Sequence, residues 1–153
     1  MSLSDETSPE QRSSFHIETL AVAGVGLIGG SFALALKQAG CVGRVLGVGR
    51  QQRTLEQAQA LGVIDEIATL EQAAREADLL MLAAPVGAFD SLFQALSPHL
   101  SDKVLITDGG STKGNVVAAA RAALGDRIRQ FVPAHPIAVS HESGPQAAFA
   151  DLY

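Results

Sequence analysis

The sequence contains a single cysteine, Cys41. No internal disulfide can form, which fits a reducing compartment, and a cytoplasmic location is expected. Cys41 itself reads as a small core or loop residue rather than a nucleophile. No apolar run reaches the roughly 18 residues that a membrane-crossing helix needs. The N-terminus carries Asp5, Glu6 and Glu10 but no basic start and no apolar stretch, so it does not read as a secretory signal. Basic residues are scarce: 11 Lys and Arg face 16 Asp and Glu, a net charge of −5. That balance argues against a nucleic-acid partner or an anionic membrane surface. Tyrosine occurs once, at Tyr153, so no Tyr-x-x-x-Lys pair exists for short-chain dehydrogenase chemistry. There is no internal repeat and no low-complexity tract.

What is present is an apolar chain of single-domain size. Hydrophobic residues make up 47% of the 153 residues, enough for one core that buries roughly two-thirds of the unfolded surface. Residues 1–15, rich in Ser, Glu and Gln, are expected to form a disordered leader. From residue 16 onward short apolar strands alternate with helical patterns. Strands are expected at 17–23, 44–48, 79–83, 104–107 and 130–132. Helices are expected at 28–39, ended by Gly40, and around Leu55, Ala58 and Leu61, stopped by Gly62. Thr69-Leu70-Glu71-Gln72 has the form of a capping box opening a helix through Glu76. Phe89, Leu92, Phe93 and Leu96 fall at i, i+3, i+4 and i+7 of an amphipathic helix, and 115–124 forms another. Fully apolar strands alternating with helices imply an α/β, Rossmann-like, doubly wound and mostly parallel sheet with helices on both faces.

The first strand runs into Gly24-Val25-Gly26-Leu27-Ile28-Gly29. Gly24 permits the tight turn, Gly26 lets a pyrophosphate approach the backbone, and Gly29 lets the helix pack on the strand. The helix start offers N–H groups and a positive dipole end to phosphates. A glycine-rich turn without a ligand is the bland alternative. The second strand ends in Gly49-Arg50-Gln51-Gln52-Arg53, where NAD sites usually carry an acidic residue for the ribose 2′-OH. No carboxylate stands there. Gly49 leaves room, and Arg50 and Arg53 suit a 2′-phosphate, so NADP is the expected cofactor with NAD as a second possibility. Both arginines also read as ordinary solvated residues near a helix start. Ala84, Pro85 and Val86, after the 79–83 strand, are expected to line the dinucleotide cleft or merely to turn the chain.

Two further segments fall at the carboxyl edge of the sheet, where ligands bind in this architecture. Asp108-Gly109-Gly110-Ser111-Thr112-Lys113 follows the 104–107 strand. Ser111 reads equally as an N-cap and as a hydroxyl offered to a substrate; Lys113 reads as structural or solvated. His135, in Phe131-Val132-Pro133-Ala134-His135-Pro136-Ile137-Ala138, follows the last strand. It reads either as a structural histidine or as a general base near neutral pH.

These motifs, in this order and together with Gly30-Ser31 and Ser143-Gly144, strongly resemble prephenate/arogenate (cyclohexadienyl) dehydrogenase, the TyrA family of tyrosine biosynthesis. The resemblance covers about residues 20 to 153, the family's N-terminal nucleotide-binding half. It implies oxidative decarboxylation of prephenate to 4-hydroxyphenylpyruvate, or of arogenate to tyrosine. On that pattern His135 accepts the proton of the ring hydroxyl or hydrogen-bonds to it, Ser111 contacts the same hydroxyl and His135, and position 141 helps bind the substrate. The chain departs from the pattern in two places. A glycine and an acidic residue usual after the His-Pro motif are Val139 and His141 here, with Glu142 one place on. The family's helical C-terminal domain, which completes the substrate pocket and forms a homodimer, is expected to lie outside this chain. Competing readings are a β-hydroxyacid dehydrogenase or pyrroline-5-carboxylate reductase domain, and a non-catalytic NADP-binding module. The His-Pro-Ile-Ala segment argues against the first of these.

Overall fold

A computed structural model describes residues 15–109 and 113–134, the side chains of Val86 and Lys113 excepted. Its centre is a six-stranded parallel sheet in the order β3-β2-β1-β4-β5-β6. The strands are β1 (Ile17–Ala23), β2 (Val42–Val48), β3 (Glu66–Ile67), β4 (Leu79–Leu82), β5 (Leu105–Asp108) and β6 (Phe131–Val132). The helices are α1 (Leu27–Gln38), α2 (Gln52–Ala60), α3 (Leu70–Glu76), α4 (Phe89–Leu96) and α5 (Lys113–Leu124). The expected doubly wound fold is the observed one. Strand order reverses between β1 and β4, which opens a crevice at their carboxyl ends.

Alternation along each strand divides the apolar residues between two cores. Leu20, Val22, Val45 and Met81 pack with Ala33, Leu55 and Ala58 on one face. Ala21, Leu46, Leu80 and Ile106 pack with Phe89, Phe93 and Val116 on the other. Phe93 anchors the second core: its ring lies 6.0 Å from that of Phe89 and meets Phe131 edge-on at 5.3 Å. From Leu20 to Ala23 both faces of β1 are therefore dry, which is why Leu20-Ala21-Val22-Ala23 reads as an unbroken apolar run, whereas Glu18 near the strand's start is exposed.

Local chemistry ends the elements where the sequence suggested. Gly40 and Gly62 follow α1 and α2 with φ of +70° and +76°. The Thr69 hydroxyl accepts a hydrogen bond from the Gln72 N–H at 3.1 Å and starts α3.

Four points depart from the sequence reading. Leu61 does not belong to the buried face of α2; the helix stops at Ala60 and Leu61 is 53% exposed in the turn. Leu105 is half exposed rather than buried, beside Val132 and opposite the face of Ile106 and Phe131. The two-residue strand β3 was not anticipated, because two residues carry no period. Gln130, expected to begin β6, lies instead in a 3-10 segment (Gly125–Gln130). Its buried side-chain amide donates to the carbonyls of Ser101 and Val104, each at 2.9 Å.

Candidate dinucleotide site

The three turn glycines have separable physical roles. Gly24 sits at φ +97°, and a β-carbon there would lie 2.7 Å from the Ala83 carbonyl oxygen. The turn thus requires glycine both for its backbone conformation and for the close approach of β1 and β4. A β-carbon on Gly29 would overlap the Gly24 carbonyl and lie 2.6 Å from Val22 Cγ1, so Gly29 sets how closely α1 packs on β1. Gly26 differs: its φ is −114° and a β-carbon would meet nothing within 4 Å. Among the described residues nothing requires a glycine there. Gly26 is also the N-cap of α1, with no side-chain cap and no acidic residue in the first turn. A bare helix N-terminus with open space before it suits an anionic group.

That space is part of a cleft of about 1180 Å³. It is lined by residues 23–26 at the end of β1, 48–52 at the end of β2 and 83–85 after β4. Its wall continues through Gly87 and Ala88, through 67–70 and Gln72 around the start of α3, and through Ser91, Leu92 and Ala95 on α4. Among the lining residues Arg50 is the sole charged side chain, and no carboxylate faces the cleft. Gly49 is exposed beside Arg50, and Gln51 Oε1 accepts a hydrogen bond from the Thr54 hydroxyl at 3.1 Å.

The structure brings together Gly24, Val25, Gly26, Gly49, Arg50, Gln51, Ala84 and Pro85. It does not bring Leu27, Ile28, Gly29 or Arg53 to the cleft wall, and the side chain of Val86 lies outside the described residues. Ile28 packs toward the α1 core, Gly29 is buried beneath the turn, and Arg53 points from α2 as an exposed residue. Leu27 is half buried as the first residue of α1. Val86 begins a 3-10 turn (Val86–Ala88) whose next two residues do line the wall. The contributions of α3 and α4 escaped the sequence reading. The Thr69 capping signal was visible, but without β3 nothing placed the start of α3 at the sheet's carboxyl edge.

Farther along that edge Asp108 is the last residue of β5 and is fully buried. The Ala134 N–H donates to its Oδ1 at 3.1 Å. This bond ties the exit of β6 to the end of β5. Ser111, His135, Val139, His141 and Glu142 lie outside the described residues. Cys41 is half buried with its thiol 3.5 Å from the Leu36 carbonyl, consistent with a loop-packing residue. Asp78 lies at the amino end of β4, away from the cleft. A side-chain hydrogen bond from Lys103 holds its carboxyl below the ordinary range, helped by the Thr19 N–H and opposed by partial burial.

Comparison with known proteins agrees with this geometry. The family model described as prephenate dehydrogenase, nucleotide-binding domain, matches residues 32–153. A prephenate dehydrogenase of Lactococcus lactis is 37% identical over 138 residues, covering 90% of this chain and 39% of that protein. The crystal structure of prephenate dehydrogenase from Aquifex aeolicus with hydroxyphenyl propionate and NAD+ superposes with a TM-score of 0.82 at 34% identity. That match covers 92% of this chain and 49% of that one. Synechocystis arogenate dehydrogenase gives 0.78 at 30% identity over 88% of this chain and 46% of its own. The chain therefore spans less than half the length of each of these relatives, and it belongs to the prephenate dehydrogenase nucleotide-binding domain family.

Proposed function

We propose that this chain is the cofactor-binding part of an NADP-preferring dehydrogenase that oxidatively decarboxylates prephenate or arogenate. The observation that carries the cofactor reading is the carboxylate-free cleft with Arg50 at the end of β2. A ribose 2′-OH has no acidic acceptor there, whereas a 2′-phosphate has a guanidinium able to bind it in bidentate fashion. Gly26 and the start of α1 would hold the pyrophosphate. Arg53, set back on α2, adds general positive potential rather than a contact. NAD remains the weaker second cofactor, and it is the cofactor in the Aquifex aeolicus complex.

The substrate class rests on the names of the relatives and on the motif residues. The bound nicotinamide supplies the hydride acceptor; the protein supplies orientation and proton handling. His135, neutral, would accept the proton of the ring 4-hydroxyl as the carbon bearing it gives up its hydride, and return it to that oxygen as CO₂ leaves and the ring becomes aromatic. Ser111 contacts the same hydroxyl, and His141 stands where the substrate's far end is read. Asp108 supports this arrangement indirectly, since it fixes the chain at Ala134, one residue before His135. A further helical domain of the whole protein completes the pocket and pairs the subunits.

Calorimetric titration of the purified chain with NADP+ and NAD+ tests the cofactor reading. NADP+ should bind at least about tenfold more tightly, and Arg50→Ser should erase the difference, the scale of one charge-assisted phosphate contact. Tighter binding of NAD+ would overturn the preference. In the full-length protein, His135→Asn should cut kcat by about 10²-fold or more with cofactor affinity intact. Unchanged turnover removes His135 from the chemistry.

A further inference from the structure

The described cleft has a second recognition element besides Arg50. A pyrophosphate at the Gly24–Gly29 turn sits where β1 and β4 diverge, so the two halves of a dinucleotide extend to opposite sides. Every residue lining the described cleft belongs to β1, β2, β3 or β4, to the loops that follow them, or to α2, α3 and α4; none comes from β5 or β6. This cleft is therefore the adenosine side, with the ribose 2′-oxygen near Arg50. Beyond that ribose the wall is apolar, built from Ile67, Ala68 and Leu70 on one side and Ala88, Leu92 and Ala95 on the other. A flat aromatic base fits between such walls by contact alone, which does not distinguish one purine from another.

Few polar side chains interrupt this lobe. The Thr69 hydroxyl accepts the Gln72 N–H as the cap of α3. The Gln72 side chain, half buried on the first turn of that helix, lines the lobe, and Ser91 lies on α4. We propose that the Gln72 carboxamide reads the amino-bearing edge of adenine and makes the cleft selective for adenine among purine dinucleotides. A carboxamide complements the edge of adenine formed by the 6-amino group and N7: its oxygen accepts from the 6-amino group and its NH₂ donates to N7, an acceptor in hypoxanthine as well. Hypoxanthine presents a 6-oxygen there, so the same carboxamide meets two acceptors and loses one bond. The cap bond fixes the backbone of residue 72, which limits how far the carboxamide can move to compensate.

This assignment rests on the dinucleotide reading above, and the test separates the two. The 153-residue chain is titrated calorimetrically with NADP+ and with nicotinamide hypoxanthine dinucleotide phosphate. The unmodified chain should favour the adenine form by about 10-fold to 100-fold, the range for one bidentate base contact. Gln72→Leu should bring the ratio to within about twofold of unity while leaving the cap, which uses the backbone N–H, intact. Gln72→Met, which removes both donor and acceptor and keeps the length, should also abolish the preference and guards against a folding defect in the leucine variant. Equal affinities in the unmodified chain, or a ratio preserved in both variants, overturns the role of Gln72 and leaves the cofactor reading standing. Failure of both dinucleotides to bind the unmodified chain overturns the cofactor reading and this assignment with it.

Discussion

Replacing the three turn glycines by alanine, one at a time, should separate what the fold requires from what a ligand requires. At Gly24 a side chain must adopt φ +97° and avoid the Ala83 carbonyl 2.7 Å from its β-carbon. The left-handed backbone costs about 1–2 kcal/mol and the overlap about 1–3 kcal/mol more. For a domain of this size that predicts a Tm lowered by roughly 5–15 °C. Gly29→Ala forces α1 away from β1, since the new methyl overlaps the Gly24 carbonyl and Val22. Its cost is about 1–3 kcal/mol after the gain in helix propensity. Gly26→Ala meets no neighbour. Its weaker N-cap and its stiffer unfolded chain nearly cancel, so Tm should move by no more than about 3 °C. Yet the methyl occupies the space before α1, and NADP+ affinity should fall by about 10-fold to 100-fold, the overpacking cost expressed in binding. Thermal melts by circular dichroism and titration calorimetry on the three variants suffice. The reasoning fails if Gly26→Ala melts as early as Gly24→Ala, or if it binds NADP+ as tightly as the unmodified chain.

Three other outcomes follow from the packing and the charges. Gln130→Leu strands the carbonyls of Ser101 and Val104 without their donor and should cost about 2–4 kcal/mol in urea unfolding; a loss below about 1 kcal/mol would contradict the role given to that amide. Phe93→Ala removes a fully buried ring between Phe89 and Phe131 and should cost about 3–5 kcal/mol, whereas Leu105→Ala, half exposed, should stay near 0.5 kcal/mol by the same assay. Asp78 has its carboxyl held below the ordinary value of 3.8, so its stabilising contribution is present above that pH and is lost as pH falls through the lower folded value. The Tm gap between the unmodified chain and Lys103→Met should therefore close on acidification below pH 3.8, and a gap that persists there would show that Lys103 acts through packing instead.

Much of this was visible in the residues, and the exceptions have physical causes. β1 and the glycine turn were legible because a dry strand and a special backbone conformation both leave marks on composition. The turn at Gly24 and the close packing at Gly29 followed from the motif and agree with their surroundings in the fold. Arg50 was found by what is missing around it. The wall made by α3 and α4 was not found, because a cleft residue such as Ala95 or Leu92 carries no distinguishing chemistry and its place depends on tertiary packing. Leu61 and Leu105 misled for a related reason: apolarity reports preference for burial, and a helix end or an uncovered stretch of sheet overrides it. Gln130 was misplaced in the last strand because it adjoins the apolar pair Phe131-Val132, whereas its amide satisfies the carbonyls of a chain reversal.

The far edge of the sheet has a consequence for how the molecule opens. β6 is two residues long, so few ladder bonds hold it. Side chains do the rest: Gln130 grips the turn before β5, the Thr107 hydroxyl donates to the Val132 carbonyl at 2.9 Å, and Asp108 holds the Ala134 N–H. An edge fastened this way forms a small cooperative unit whose opening free energy lies below that of the whole domain. Amide hydrogens at Phe131 and Val132 should exchange faster than those of β1 and speed up further when any one fastening is removed. Since the chain runs from this unit directly to His135, substitutions at Thr107 or Gln130 would reach the proposed proton acceptor through the fraction of time the edge stands open, with the cleft between β1 and β4 untouched.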